Sequence, residues 1–395
     1  MNKKELSELK KNFSEASGLF TLNRVYSAFV DHERNILCKS NRMYTLIPEE
    51  EASVIMETLK KVLSGSLGKA LTEYEFPRDS YEEGGSQKLL YSLVSGKLEE
   101  TDESADELLQ KIAEKIVYEQ AFTLLIGHCS YSVFTKNKNA EIEADINENI
   151  YNFVIAAICP VNTGTDGLVF DDETNTIIKK ANTEKIISRV PSDGFLYPVF
   201  SDRASDVNHV MYYTQSPKKP NISVITEILG CEFLMSCESE KERFHQVVAS
   251  VAGDELDYNV ITRVNEKLME TVELNKDETS LPVIDDNRLK TILSEAGVSD
   301  ERLEGLSAVY KETVGDAPLT VSNLVETKTV LSMPGITVNI GRDSVDLVRT
   351  ALVGGKRCLL IDLDDPEITV NGLPAAITQT LSSGNEPSDG SDGNT

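Results

Sequence analysis

The chain of 395 residues has no tryptophan, four histidines and six cysteines. It holds no Cys-x-x-Cys pair and no His-Glu-x-x-His stretch, so no zinc motif is present, and no other metal or cofactor is indicated. No Gly-x-Ser-x-Gly elbow occurs, and no serine has an obvious histidine partner. No run of eighteen apolar residues exists, which excludes a membrane helix and a membrane partner. The first residues lack the apolar core of a signal peptide, so a cytoplasmic protein is expected. The cysteines (38, 129, 159, 231, 237 and 358) are scattered, and three of them sit in apolar runs, which suits reduced thiols better than a disulfide framework.

With 40% hydrophobic and 26% charged residues the composition is that of a globular protein, of about two to three domains by length. The net charge of −26 repels polyanions over most of the surface. That charge is uneven. Met1 to Ile47 carries eight Lys and Arg against five acids, whereas Glu238 to Asp316 carries nineteen acids against nine bases.

The most apolar stretch is Phe153-Val-Ile-Ala-Ala-Ile-Cys-Pro160, followed by Gly194-Phe-Leu-Tyr-Pro-Val-Phe200 and by Val207 to Tyr213. Continuous apolar runs of this length read as strands buried on both faces. Ahead of them, Leu6, Leu9 and Phe13 mark an amphipathic helix, and Val25–Val30 with Ile36–Ser40 a hairpin. Pro48 with three glutamates opens a helix to about Leu63, Ala70–Phe76 is a strand, and Gln87–Val94 and Asp106–Tyr118 are helices. Ala121–Phe134 is a further strand. After a short helix at Ile222–Leu229, Ser239-x-x-Glu242 matches a capping box. Helices near Leu256–Leu274, Asp286–Ala296 and Asp300–Val314 follow. Beyond Pro318 the pattern alternates, and Gly354-Gly355 between two apolar runs signals a two-residue hairpin turn with both glycines at positive φ. The fold class expected is α+β: a mixed domain at 1–237, a helical region at 238–316, a small β-rich unit at 317–377 and a disordered tail at 378–395.

Asp202, Arg203, Asp206 and His209 lie together between two apolar runs. Charges there must pair or reach water. Two readings stand: a small charged site in which Arg203 binds an anion and an aspartate orients or acts as base, and an Asp–Arg pair that locks a buried turn. Lys3, Lys4, Lys10 and Lys11 fall one or two helical turns apart, either a stripe for nucleic acid or a solvated helix face. Gly65-Ser-Leu-Gly68-Lys69 has a superficial likeness to a phosphate loop but lacks its spacing and its Ser or Thr, so a helix end and turn is the alternative. His128-Cys129 should face opposite sides of a strand.

The opening Met-Asn-Lys-Lys-Glu-Leu-Ser-Glu-Leu-Lys, the block Ile158-Cys-Pro-Val161, and Gly194-Phe-Leu-Tyr-Pro-Val-Phe-Ser-Asp-Arg203 with Tyr212-Tyr-Thr214 resemble a bacterial domain family of unknown function over nearly the whole chain. That resemblance implies no activity. Pro334-Gly-Ile-Thr-Val-Asn-Ile340 and Ile368-Thr-Val-Asn-Gly-Leu-Pro374 are similar to the closing strands of bacterial nucleoid-associated proteins. This second likeness implies a DNA-associated, dimeric protein without catalysis and assigns no contacting residue. The function expected is association with a macromolecule, protein or nucleic acid, without catalysis. The alternative is a small-ligand binder or hydrolase-type enzyme built on the Asp202–His209 loop.

Overall fold

The computed structural model describes residues 1–99, 103–133, 149–163, 167–171, 175–180, 185–276, 278, 280–362, 369–370 and 373–374. The polar segment Lys136–Glu148 and the tail from Thr378 lie outside the described residues. The chain separates into two compact units, Met1–Glu326 and Thr327–Thr395. The α+β expectation is met.

The first unit is built on an antiparallel sheet. Its principal strands are β1 (Phe20–Val30), β2 (Ile36–Met43), β3 (Leu71–Glu75), β4 (Phe122–Val133) and β5 (Asn149–Thr163). After β5, Asp193–Tyr197 forms β6. A hairpin of β7 (Val199–Ser201) and β8 (Ala204–Asp206) follows, and β9 (His209–Thr214) returns to the sheet. The order is β2-β1-β4-β5-β6-β9-β3, with β3 at one edge. Residues alternate between two cores, as a period of two requires. In β5, Phe153, Ile155, Ala157 and Cys159 enter one core with α1 (Lys3–Asn12) and α2 (Glu49–Lys61). Val154, Ala156 and Ile158 enter the other with α3 (Ser86–Ser95) and α4 (Glu103–Lys115). Burial on both faces of the central strand is therefore as expected.

The run Gly194–Phe200 is not one strand. It breaks at Pro198, which has no N–H to give a ladder and leaves β6 and β7 as separate pieces. The charged connection is accordingly the tip of the β7–β8 hairpin, with Asp202 and Arg203 at φ 49° and 61°, the arrangement of a primed two-residue turn.

A helical region completes this unit: α5 (Cys237–Ala252), α6 (Tyr258–Leu274), α7 (Asp286–Ala296), α8 (Asp300–Leu303), α9 (Leu306–Thr313) and α10 (Val321–Leu324) share a third core. Leu319–Thr320 pairs with Val283–Ile284, so the chain past Pro318 still packs here. Two expectations are corrected. The cap of α5 is Ser236, whose Oγ accepts from Ser239 N at 3.2 Å, so Ser239 is already inside the helix. The helix expected over Asp300–Val314 is two, parted at Glu304–Gly305. The short helix expected at Ile222–Leu229 is present, and its turn Val224–Ile228 is wound wider than an α-helix. No described helix is long and apolar enough to cross a membrane.

The second unit consists of hairpins. β10 (Lys328–Met333) pairs with β11 (Ile336–Gly341), and β12 (Val348–Val353) with β13 (Lys356–Ile361). Gly354 and Gly355 turn the latter at φ 58° and 78°, as the paired glycines predict.

Candidate functional site

The edge strand β3, the Asp202 turn, the loop Leu67–Lys69 and the start of α5 enclose a cleft of about 490 Å³. That is within the size range of small-molecule sites. Its most buried polar groups include Thr214, Asn323 and Glu240, 3%, 7% and 9% exposed. Glu240 sits in the first turn of α5, where a carboxylate suits the helix dipole. It is also the residue one turn before Phe244, so the stripe that seats the helix on its core carries the carboxylate inward. Its Oε1 accepts from Thr320 N at 3.3 Å and Thr320 Oγ1 at 3.1 Å, and its Oε2 accepts from Asn323 Nδ2 at 2.5 Å. Asn323 Nδ2 also donates to Gly68 O at 3.0 Å. Burial raises the Glu240 carboxyl above the usual range, and these donors pull it partly back. Asn323 Oδ1 is buried at the wall with no hydrogen-bond partner among the described residues. Three more carboxylates line the cleft: Glu5, Asp202, and Glu73, whose Oε2 pairs with the Met1 amino group at 2.5 Å. Lys69 stands at one side.

The four residues expected to form a charged site are divided. Asp202 lines the cleft, but Arg203 does not. Arg203 forks onto Glu8 of α1, Nη1 to Oε2 at 2.8 Å and Nη2 to Oε1 at 3.1 Å. A primed turn throws successive side chains apart, so the guanidinium meets the helix packed beneath the hairpin. Asp206 instead holds His209, Oδ2 to Nδ1 at 2.7 Å. With Glu73 these two set one ligand atom each within 4.8 Å, an arrangement with the donor types to take a divalent cation. Of the four lysines on α1, Lys3 and Lys10 border a cavity, while Lys4 and Lys11 do not.

The comparison with protein families bears on the chain as a whole. Residues 1–373 match the family described as Domain of unknown function (DUF4317). The chain belongs to the DUF4317 family. No curated protein matches it. That match reaches through the C-terminal strands and does not show the likeness to nucleoid-associated proteins.

Two buried polar clusters in this DUF4317 chain escaped the reading of its sequence. Asp193, 3% exposed, accepts from the hydroxyls of Tyr118 and Tyr212. Burial raises the Asp193 carboxyl, and the same burial with the neighbouring carboxylate pushes both tyrosines far up. His128 lies between Asn23 Nδ2 at 3.1 Å and Val94 O at 3.1 Å, with burial lowering its pKa. It is held neutral, one nitrogen accepting and the other donating. As expected, Cys129 faces the opposite core. All six cysteines are free thiols. The signal for Glu240 was present: an acid on the stripe that continues through Phe244, Val247, Val248 and Val251 has to be buried. Asn323, packed between Val321 and Leu324, carries a similar mark.

Proposed function

We propose that the chain is a small-ligand-binding protein whose cleft takes a compact, positively charged hydrogen-bond donor, of the amine or guanidine class. The observation that carries this reading is the unpartnered Asn323 Oδ1 beside the buried Glu240 carboxylate. A buried acceptor without a donor costs about 1–3 kcal/mol, and a ligand N–H reaching it recovers that cost. Glu5, Asp202 and Glu73 add further carboxylates to the lining of the cleft. The net charge of −26 further favours the approach of a cation.

Thermal denaturation with putrescine, agmatine and a neutral sugar at low salt tests the reading. Ligands that bind only the folded state raise the melting temperature with concentration. A rise with the amine or guanidine, none with the sugar, and loss of the rise in the Asp202→Asn, Glu73→Gln double variant are expected. An equal response to all three, or none, rejects it. Association with nucleic acid through Lys3, Lys4, Lys10 and Lys11 of the basic N-terminal helix is a separate reading, and of these Lys3 and Lys10 border a different cavity.

A further inference from the structure

A second cavity, of about 420 Å³, opens beside α1 and is bounded by Lys3, Ser7, Lys10, Ser66, Lys69 and Ser322, with three leucines and Gly65 completing its wall. Among the described residues no acidic side chain lines it, although acids outnumber bases 65 to 39 in the chain. Among the described residues Lys3, Lys10 and Lys69 make no ion pair, whereas Lys39, Lys218, Lys241, Lys267, Lys276 and Lys311 each have a carboxylate partner. The Ser322 Oγ is buried and has no hydrogen-bond partner among the described residues.

Two parts of the chain bring these groups together. Leu6, Leu9 and Phe13 seat α1 on the sheet, which fixes Lys3, Ser7 and Lys10 on its outer side at intervals of about one turn. The loop after α2 supplies Ser66 and Lys69, and it depends on glycine twice. Gly65 and Gly68 have φ +109° and +79°, and a Cβ on Gly68 would meet Leu281 at 2.8 Å. Lys3 and Lys10 of α1 and the glycine–lysine loop, which the sequence leaves as two unrelated weak signals, therefore border one space.

We infer that this cavity binds a small phosphate-bearing anion. Three ammonium groups and three hydroxyls provide the charge-assisted donors that phosphate oxygens require. Three like charges set around one cavity, with no counter-charge among the described residues of its wall, repel each other, and a ligand of two or more negative charges relieves that repulsion. The cavity is concave and is surrounded by a strongly acidic chain, which suits a compact anion and disfavours a long polyanion. The inference is independent of the amine cleft. The two spaces share Leu67, Lys69 and Leu281, but Lys3, Ser7 and Lys10 belong to the anion cavity alone.

The test is calorimetric titration of the full chain with sodium pyrophosphate at low ionic strength. Saturable binding is expected, weakened at least tenfold by Lys10→Ala and more by Lys10→Ala with Lys69→Ala, and left within twofold by Lys11→Ala, whose side chain lies outside the cavity. Unchanged melting temperatures among the variants show that the losses are not unfolding. Ser322→Ala gives a second reading, a smaller loss with all charges kept. Absence of pyrophosphate binding, or binding indifferent to Lys10 and Lys69, overturns the inference. So does a 20-base-pair DNA duplex that binds through Lys10 and is not displaced by pyrophosphate, since the lysines would then serve a nucleic acid.

Discussion

Arg203→Ala tests how the hairpin that carries Asp202 is held. Had the guanidinium been a buried counter-charge inside its own turn, its loss would cost about 3–5 kcal/mol. The structure gives a smaller figure. The Arg203 and Glu8 side chains are 38% and 29% exposed, so water screens the pair. Exposed pairs contribute about 0.2–1 kcal/mol, and a two-pronged contact lies at the upper end. We therefore expect a loss of about 1 kcal/mol, a fall in melting temperature of roughly 2 °C for a unit of this size. Glu8→Ala should cost more, because Glu8 Oε1 also accepts from the Tyr131 hydroxyl at 2.7 Å. In a double-mutant cycle by urea denaturation the coupling should be about 0.5–1 kcal/mol and should shrink as salt rises. Coupling near zero, or a loss above about 3 kcal/mol for Arg203→Ala alone, refutes the reasoning.

Asp193→Ala should destabilise the first unit by about 3–5 kcal/mol, since it strands the hydroxyls of the buried Tyr212 and the half-buried Tyr118, and urea midpoints check this. His128 has its pKa lowered by burial, so its stabilising contribution is present above the unfolded value of about 6.5 and is lost as pH falls below it toward the folded value. Stability curves at pH 7.5 and 5.5 should converge in part for His128→Gln; an unchanged pH slope would exclude the assignment. Gly355→Val should lower the stability of the second unit, because a β-branched residue resists φ near +78°. Proteolysis of the β12–β13 hairpin reads this directly.

The sheet was legible because β4 and β5 are buried on both faces and so read as unbroken apolar runs. Elements failed where two local signals competed. Ser236 and Ser239 both cap well, and only the packing of α5 decides between them. Gly305 parts α8 from α9 inside a pattern with continuous helical spacing. At the site, Asp202 was visible as a charge between apolar runs, but Arg203 found its partner 195 residues away. The contacts of Asn323 with Glu240 and Gly68 span 83 and 255 residues. Pairings at such separation follow from the topology and leave no mark in local spacing. What local spacing does show is the mismatch itself, a carboxylate on an apolar stripe.

The most direct test of the cleft is a calorimetric titration of agmatine into the unmodified chain and into Glu240→Gln, each across a pH series. The account predicts binding by the unmodified chain, weakened at least tenfold in the variant. Burial raises the Glu240 carboxyl above its ordinary value of 4.5, so affinity should be full above its folded pKa and fall as pH drops through it, at a pH higher than an exposed glutamate would give. Equal affinity in the two proteins, with the same pH profile, would contradict it.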